Sequence, residues 1–261
     1  MKHFLTFFLL INAAQIQAAE IDLFILAGQS NMQGWRSDAA QYPVDRNHLD
    51  ARIPFYFETI NYTSSNQQWT TLKPQAGHFS SGHFGPEVTF GRALLKTKLK
   101  PAIFKYSKGG SSIKTDWKAP NKLGLYDDMV ASLQTAIYKL ESQGHTVTPK
   151  AIIWIQGESD AINTKFATEY YWHLRKLLHH LRVNVIRIPN LPVILSVDEQ
   201  HPQVQQHPQV VDAQLRLSME DPSITFVSMF GLEKADVTHL TARGTIEQGK
   251  RIYSAYKELQ N

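Results

Sequence analysis

The sequence predicts a three-layer α/β/α sandwich with a central parallel sheet of about five strands. Three observations lead there. Short apolar runs rich in branched residues recur along the chain, segments with the spacing of amphipathic helices lie between them, and 261 residues suffice for one domain with a sizeable core. Strands that alternate with helices join in parallel through right-handed crossovers, which places helices on both faces of the sheet.

The elements follow in chain order. Lys2 and His3 precede the apolar run Phe4-Leu5-Thr6-Phe7-Phe8-Leu9-Leu10-Ile11, and Ala18-Ala19 lie shortly after. A basic end, a short apolar core and small residues near a cut are the marks of a secretory signal peptide. The run is too short to span a bilayer. Residues 1–18 are therefore expected to be a leader cut after Ala18, with 19–261 as one catalytic domain and no stable membrane insertion once the leader is gone.

The first strand is Ile21-Asp22-Leu23-Phe24-Ile25-Leu26-Ala27. The stretch from Arg36 to Gly85 breaks the rhythm, with Pro43, Pro54 and Pro74 among Asn, Ser, Thr, Gln and aromatic residues; it reads as a long loop, either walling a pocket or decorating the surface. The rhythm then resumes with a helix over Glu87 to Leu99 and a strand over Ala102 to Tyr106. A helix from Tyr126 to Leu140, a strand from Ala151 to Ile155 and a helix from Phe166 to Leu181 follow. The last are a strand from Val193 to Val197, a helix from Val210 to Met219, a strand from Ile224 to Ser228 and a helical C-terminal stretch.

Composition excludes several chemistries. The chain has no cysteine, so disulfides, thiolate metal sites and a cysteine nucleophile are impossible. Absence of disulfides in an exported chain points to a bacterial periplasm or exterior. The net charge is +4, but Lys and Arg are scattered through helical segments, which describes a solvated surface rather than a nucleic-acid site. The eleven His residues include no HExxH or other compact ligand motif, so no metal is expected, and the serine chemistry described next requires no organic cofactor. His201 and His207, in the local repeat HPQVQ-QHPQV, read as loop histidines. Nothing in the sequence sets an oligomeric state.

The chemistry gathers at two places. Gly28-Gln29-Ser30-Asn31-Met32 follows the first strand directly, and a glycine turn at the C-terminal end of a strand is where open α/β sheets place reactive groups. A serine hydroxyl needs an imidazole to take its proton, and the imidazole needs a carboxylate to fix its tautomer. Asp236-Val237-Thr238-His239 offers both partners three residues apart, with Glu233 as the alternative acid.

Five blocks, in order across nearly the whole mature chain, carry a family resemblance. They are GQSNM at Gly28 to Met32, GPEVTFGRAL at Gly85 to Leu94, KGGSSI at Lys108 to Ile113 with Trp117 after it, WIQGESDA at Trp154 to Ala161, and DVTHL at Asp236 to Leu240. On these the chain resembles the SGNH (GDSL) hydrolase superfamily, whose sheet is flavodoxin-like, and within it the carbohydrate esterase family 6 and sialate O-acetylesterase-like group. The resemblance implies Ser30 as nucleophile, His239 as general base and Asp236 as its orienting acid. It also implies an oxyanion hole made of the backbone N–H groups of Ser30 and Gly110 and the side-chain amide of Gln156, which stands where the superfamily usually has Asn.

Asn31 and Glu158 are expected to support the nucleophile turn or touch substrate, and Trp35 and Trp117 to stack on a sugar or simply pack. Glu87, after Pro86, reads as an ordinary helix start. The resemblance implies a secreted serine esterase that removes O-acetyl groups from a carbohydrate of the acetylxylan or sialic acid type. A general short-chain or lipid esterase is the alternative enzyme, but no amphipathic lid segment stands out after the leader. A non-catalytic carbohydrate-binding protein is the alternative outside enzymes.

Overall fold

The computed structural model describes residues 18–260, so the expected leader lies, apart from Ala18, outside the described residues. Among the described residues, eight strands form one sheet: β1 (Glu20–Gly28), β2 (Pro54–Thr59), β3 (Thr63–Ser64), β4 (Thr70–Thr71), β5 (Pro101–Ser107), β6 (Thr146–Ile155), β7 (Val193–Ser196) and β8 (Ile224–Phe226). The order is β3-β2-β5-β1-β6-β7-β8, with β4 also on β2. The pairings β2·β5, β5·β1, β1·β6, β6·β7 and β7·β8 are all parallel, whereas β3 and β4 run antiparallel to β2.

The helices are α1 (Ser30–Gln33), α2 (Glu87–Leu94), α3 (Leu125–Glu141), α4 (Thr164–His179), α5 (Pro202–Gln206), α6 (Gln209–Glu220) and α7 (Ala242–Glu258). Alternation along β1 distributes its side chains between the two faces. Ile21, Leu23, Ile25 and Ala27 join the core under α3, α4 and α6, with Met129, Leu133, Leu174 and Leu217. Phe24 and Leu26 join the opposite core with Phe90 and Leu94 of α2 and Ile252 and Tyr256 of α7. This is the three-layer α/β/α sandwich. No helix of the described residues is long and apolar enough to cross a membrane.

Two sequence expectations change. The sheet is larger than five strands, because β2 forms inside the supposed loop and pairs with β5 from Phe55↔Ile103 to Thr59↔Ser107. Pro54 obscures it in the sequence, yet proline is tolerated as the first residue of a strand, where its missing N–H matters least. The helix expected to run to Leu99 stops at Leu94, where the Thr97 hydroxyl and N–H both bond the Leu94 carbonyl. Pro101 then opens β5.

The chain leaves β1 in the middle of the sheet, with β5 on one side and β6 on the other. Such a reversal of strand order opens a crevice at the C-terminal ends of the strands. Ser30 stands at its floor.

Candidate active site

A pocket of about 420 Å³ lies in this crevice, lined by Ser30, Gln33 and Trp35 after β1, Gly109 and Gly110 after β5, Glu158 after β6, His201 after β7 and His239 after β8. Ile60, Asn61 and Tyr62, just beyond β2, complete one wall, so the long insertion does contribute to the pocket. Each of these residues follows the C-terminal end of a different or shared parallel strand. A larger cavity of about 740 Å³ between α4, α6 and the start of β8 holds Trp172, Arg182 and Ile224 but no Ser or Thr among its lining residues.

The turn carrying Ser30 is forced by Gly28. Its φ is +153°, and a Cβ there would stand 2.0 Å from the Ile155 carbonyl oxygen of β6. Only glycine lets β1 end so close to its neighbour. Gln29 N–H then bonds the Ile155 carbonyl at 2.9 Å, and α1 begins at Ser30, whose N–H meets no acceptor among the described residues. The Gly110 N–H is likewise without an acceptor among them, and Gly110 adopts the left-handed φ of +64°.

Asp236 and His239 meet within a single turn. Both carboxylate oxygens lie 3.0 Å from His239 Nδ1, while Oδ1 also accepts from the N–H groups of Thr238 and His239 at 2.8 Å. Desolvation pushes the Asp236 carboxyl upward, but the hydrogen bonds from the His239 ring and these N–H groups outweigh it and hold it below the usual carboxylate range. A carboxylate at Nδ1 keeps the ring proton there and leaves Nε2 as the acceptor. Arg36 Nε approaches Asp236 Oδ2 to 3.7 Å. Glu233 lies elsewhere, bonded by the Thr241 hydroxyl at 2.9 Å at the start of α7.

Asn31 joins the two halves. Its Nδ2 donates to the Thr238 carbonyl at 3.0 Å and reaches Glu158 Oε1 at 3.5 Å, and its Oδ1 accepts from Leu240 N–H at 3.2 Å. Glu158 also accepts from Asp198 N–H at 3.1 Å, and its Oε2 is buried without a partner among the described residues. Burial dominates and pushes this acid up to about 7.

Gln156 is not among the pocket-lining residues, and it has no exposed surface. Its Nε2 donates to the Ser111 carbonyl at 2.9 Å and to Asp160 Oδ2 at 2.6 Å, and its Oε1 accepts from the Tyr170 hydroxyl at 3.0 Å. The amide expected to face an oxyanion is turned instead into the interior, where it ties the loop after β5 to Asp160. Asp160 in turn accepts from the Ser112 hydroxyl at 2.7 Å and Ile113 N–H at 2.8 Å.

The two tryptophans separate. Trp35 lines the pocket with its ring centroid 4.6 Å from that of Tyr62. Trp117 is fully buried against Trp154 and donates to the Ser111 hydroxyl at 2.9 Å, so it braces the same loop from within. Glu87 is a buried helix-start acid, ion-paired with Lys105 at 2.9 Å.

Sequence reasoning missed Gln33, Tyr62, Asp160, Lys105 and the pocket position of His201. Gln33 had one available signal: it follows Ser30 by three residues, the spacing of neighbours on one helix face. His201 Nδ1 caps α5 by accepting from Gln203 N–H, and its Nε2 lies 3.2 Å from the Thr238 hydroxyl. His207 faces the Ala161 carbonyl instead. Among the described residues no group of three or more His, Asp or Glu side chains is arranged to hold a metal ion.

Comparison with known proteins places the chain in a family. Residues 20–258 match the family model described as carbohydrate esterase, sialic acid-specific acetylesterase, and the chain belongs to that family. A probable carbohydrate esterase of Arabidopsis thaliana is 27% identical over 248 residues, covering 90% of this chain and 89% of the relative. A solved Arabidopsis thaliana structure superposes with a TM-score of 0.69 at 24% identity, covering 91% of this chain and 98% of that one. The crystal structure of NanS does so with a TM-score of 0.67 at 14% identity, covering 93% and 98%. Both structures share its fold.

Proposed function

We propose that this member of the carbohydrate esterase family is a serine-dependent O-acetyl esterase acting on a sugar. One observation carries the reading: Ser30, Gly110 and His239 line one pocket, and the His239 ring is held at Nδ1 by Asp236 with Nε2 left without a partner among the described residues.

In this reading His239 Nε2 takes the Ser30 proton as Oγ attacks the acetyl carbonyl. Negative charge develops on the former carbonyl oxygen, and the unengaged N–H groups of Ser30 and Gly110 stabilise it. Each such donor is worth on the order of 3 kcal/mol in the transition state. His239 then protonates the departing sugar oxygen, leaving an acetyl ester on Ser30. Water, deprotonated by the same imidazole, attacks that ester and releases acetate.

The roughly neutral midpoint of Glu158 suits this chemistry, because a buried acid that accepts a proton easily opposes the oxyanion less than a fixed charge would. Gln156 acts as a positioning residue for the Gly109-Gly110-Ser111 loop. The basic, apolar and small-residue order of residues 1–18 supports export of the chain, which sequencing the N-terminus of the protein recovered from its host would test.

Acetate release from p-nitrophenyl acetate, acetylated xylan and O-acetylated sialic acid tests the reaction, with wild type and Ser30→Ala compared with and without EDTA. The expected result is release that requires Ser30 and ignores EDTA. Folded wild type that releases no acetate from any of the three sinks the enzymatic reading in favour of a binding role.

A further inference from the structure

Gln33 is fully buried, lines the pocket beside Ser30, and meets no hydrogen-bond partner at either Oε1 or Nε2 among the described residues. Buried amides are rarely left with both ends unpaired, because each orphaned atom destabilises the fold. The surroundings hold this one in place. Lys105 Nζ, itself paired with Glu87, donates to the Gln33 main-chain carbonyl at 3.1 Å. Gln33 Oε1 lies 3.0 Å from where a Cβ on Gly109 would stand, and that same point is 3.8 Å from Ser30 Cβ. The backbone is anchored by Lys105, while the amide, packed toward Gly109, meets no partner among the described residues.

We propose that the Gln33 amide hydrogen-bonds a hydroxyl of the sugar that carries the acetyl group, and so selects polyhydroxylated esters over simple acetates. This rests on the carbohydrate acetylesterase reading of the pocket. The amide presents a donor and an acceptor side by side, and a sugar hydroxyl is both at once. An oxyanion would use only the donor and would face Oε1 with like charge. An apolar acyl chain would satisfy neither atom. Trp35 and Tyr62 on the same pocket supply aromatic surface for the C–H face of the ring.

The test is steady-state kinetics of wild type, Gln33→Met and Gln33→Ala on p-nitrophenyl acetate, an O-acetylated sialic acid and an O-acetylated methyl xyloside. The ratio of kcat/KM on a sugar ester to that on p-nitrophenyl acetate should fall by about tenfold in both variants, the value of one hydrogen bond, mainly through KM. The Met variant should also melt at or above the wild-type midpoint, since it removes two unpaired buried polar atoms at similar volume. The Ala variant keeps the test open should Met fail to fit.

An equal loss on all esters overturns the proposal, because it marks an oxyanion or packing role, and an unchanged ratio overturns it too. Wild type that cleaves p-nitrophenyl acetate but neither sugar ester overturns the carbohydrate reading itself, and this one with it. That failure appears in the wild type alone, whereas failure of the Gln33 contact appears only in the variants.

Discussion

The Asn31 side chain donates to the main-chain carbonyl of Thr238 at 3.0 Å, joining the turn that carries Ser30 to the segment that carries His239. The same side chain accepts from Leu240 N–H, so both flanks of His239 are fixed relative to Ser30. Replacing Asn31 by Ala frees that segment. Because small misplacements of reacting groups are costly, kcat on p-nitrophenyl acetate should fall by about 10- to 100-fold. The unfolding midpoint should drop as well, since the buried Leu240 N–H and the partly buried Thr238 carbonyl lose their partner. Full kcat in Asn31→Ala would show that the two segments hold their register without it.

Asp236 sits at the protein surface, with its side chain 39% exposed, and Arg36 is its nearest cation. Water and salt screen an exposed carboxylate, so it stabilises the imidazolium less than a buried one, whose loss costs about 10⁴ in the serine protease template. Asp236→Asn should therefore lower kcat by roughly 10- to 100-fold, and His239→Ala by more. Rate measurements across a range of ionic strength check this: the wild-type rate should decline with salt, and the Asn variant should be less sensitive.

Gln156 distinguishes positioning from direct contact. Removing its amide leaves Asp160, Tyr170 and the Ser111 carbonyl each short of a buried partner. Gln156→Ala should lower the unfolding midpoint by roughly 5 °C or more. A residue that touched the oxyanion directly would instead cost about 10²- to 10³-fold in kcat with the midpoint unchanged. Calorimetry and initial rates on the same preparation separate the two.

Glu158 makes stability depend on pH in a definite direction. Its folded midpoint, near 7, lies above the ordinary 4.5. The unfolded chain therefore loses this proton first as pH rises. The stability from protonated Glu158 is complete below about 4.5 and is lost between there and about 7. Glu158→Gln keeps a neutral side chain at every pH. It should melt roughly 5 °C above wild type at pH 8, with the gap closing toward pH 4.5. A gap that does not change with pH would show that Glu158 is not the titrating group.

Features that depend on neighbours close along the chain are legible in the sequence. The apolar run from Ile21 to Ala27 reads as a buried strand, and the strand-helix alternation dictates a parallel, three-layer arrangement. The Asp236–His239 contact forms inside one turn, so a spacing of three residues already contains it.

Tertiary structure decided what depends on residues brought together from afar. The segment at Phe55 to Thr59 is a strand because β5 offers it a parallel partner, which Pro54 hides from any local reading. Trp35 reaches the pocket while Trp117 enters the core, although both are tryptophans beside catalytic-looking motifs. Gln156 turns inward because Ser111, Asp160 and Tyr170 converge on it, and Gln33 stays unpaired because no group among the described residues does. A side-chain amide carries no preference of its own for a pocket or an interior; the donors and acceptors that other elements place around it choose.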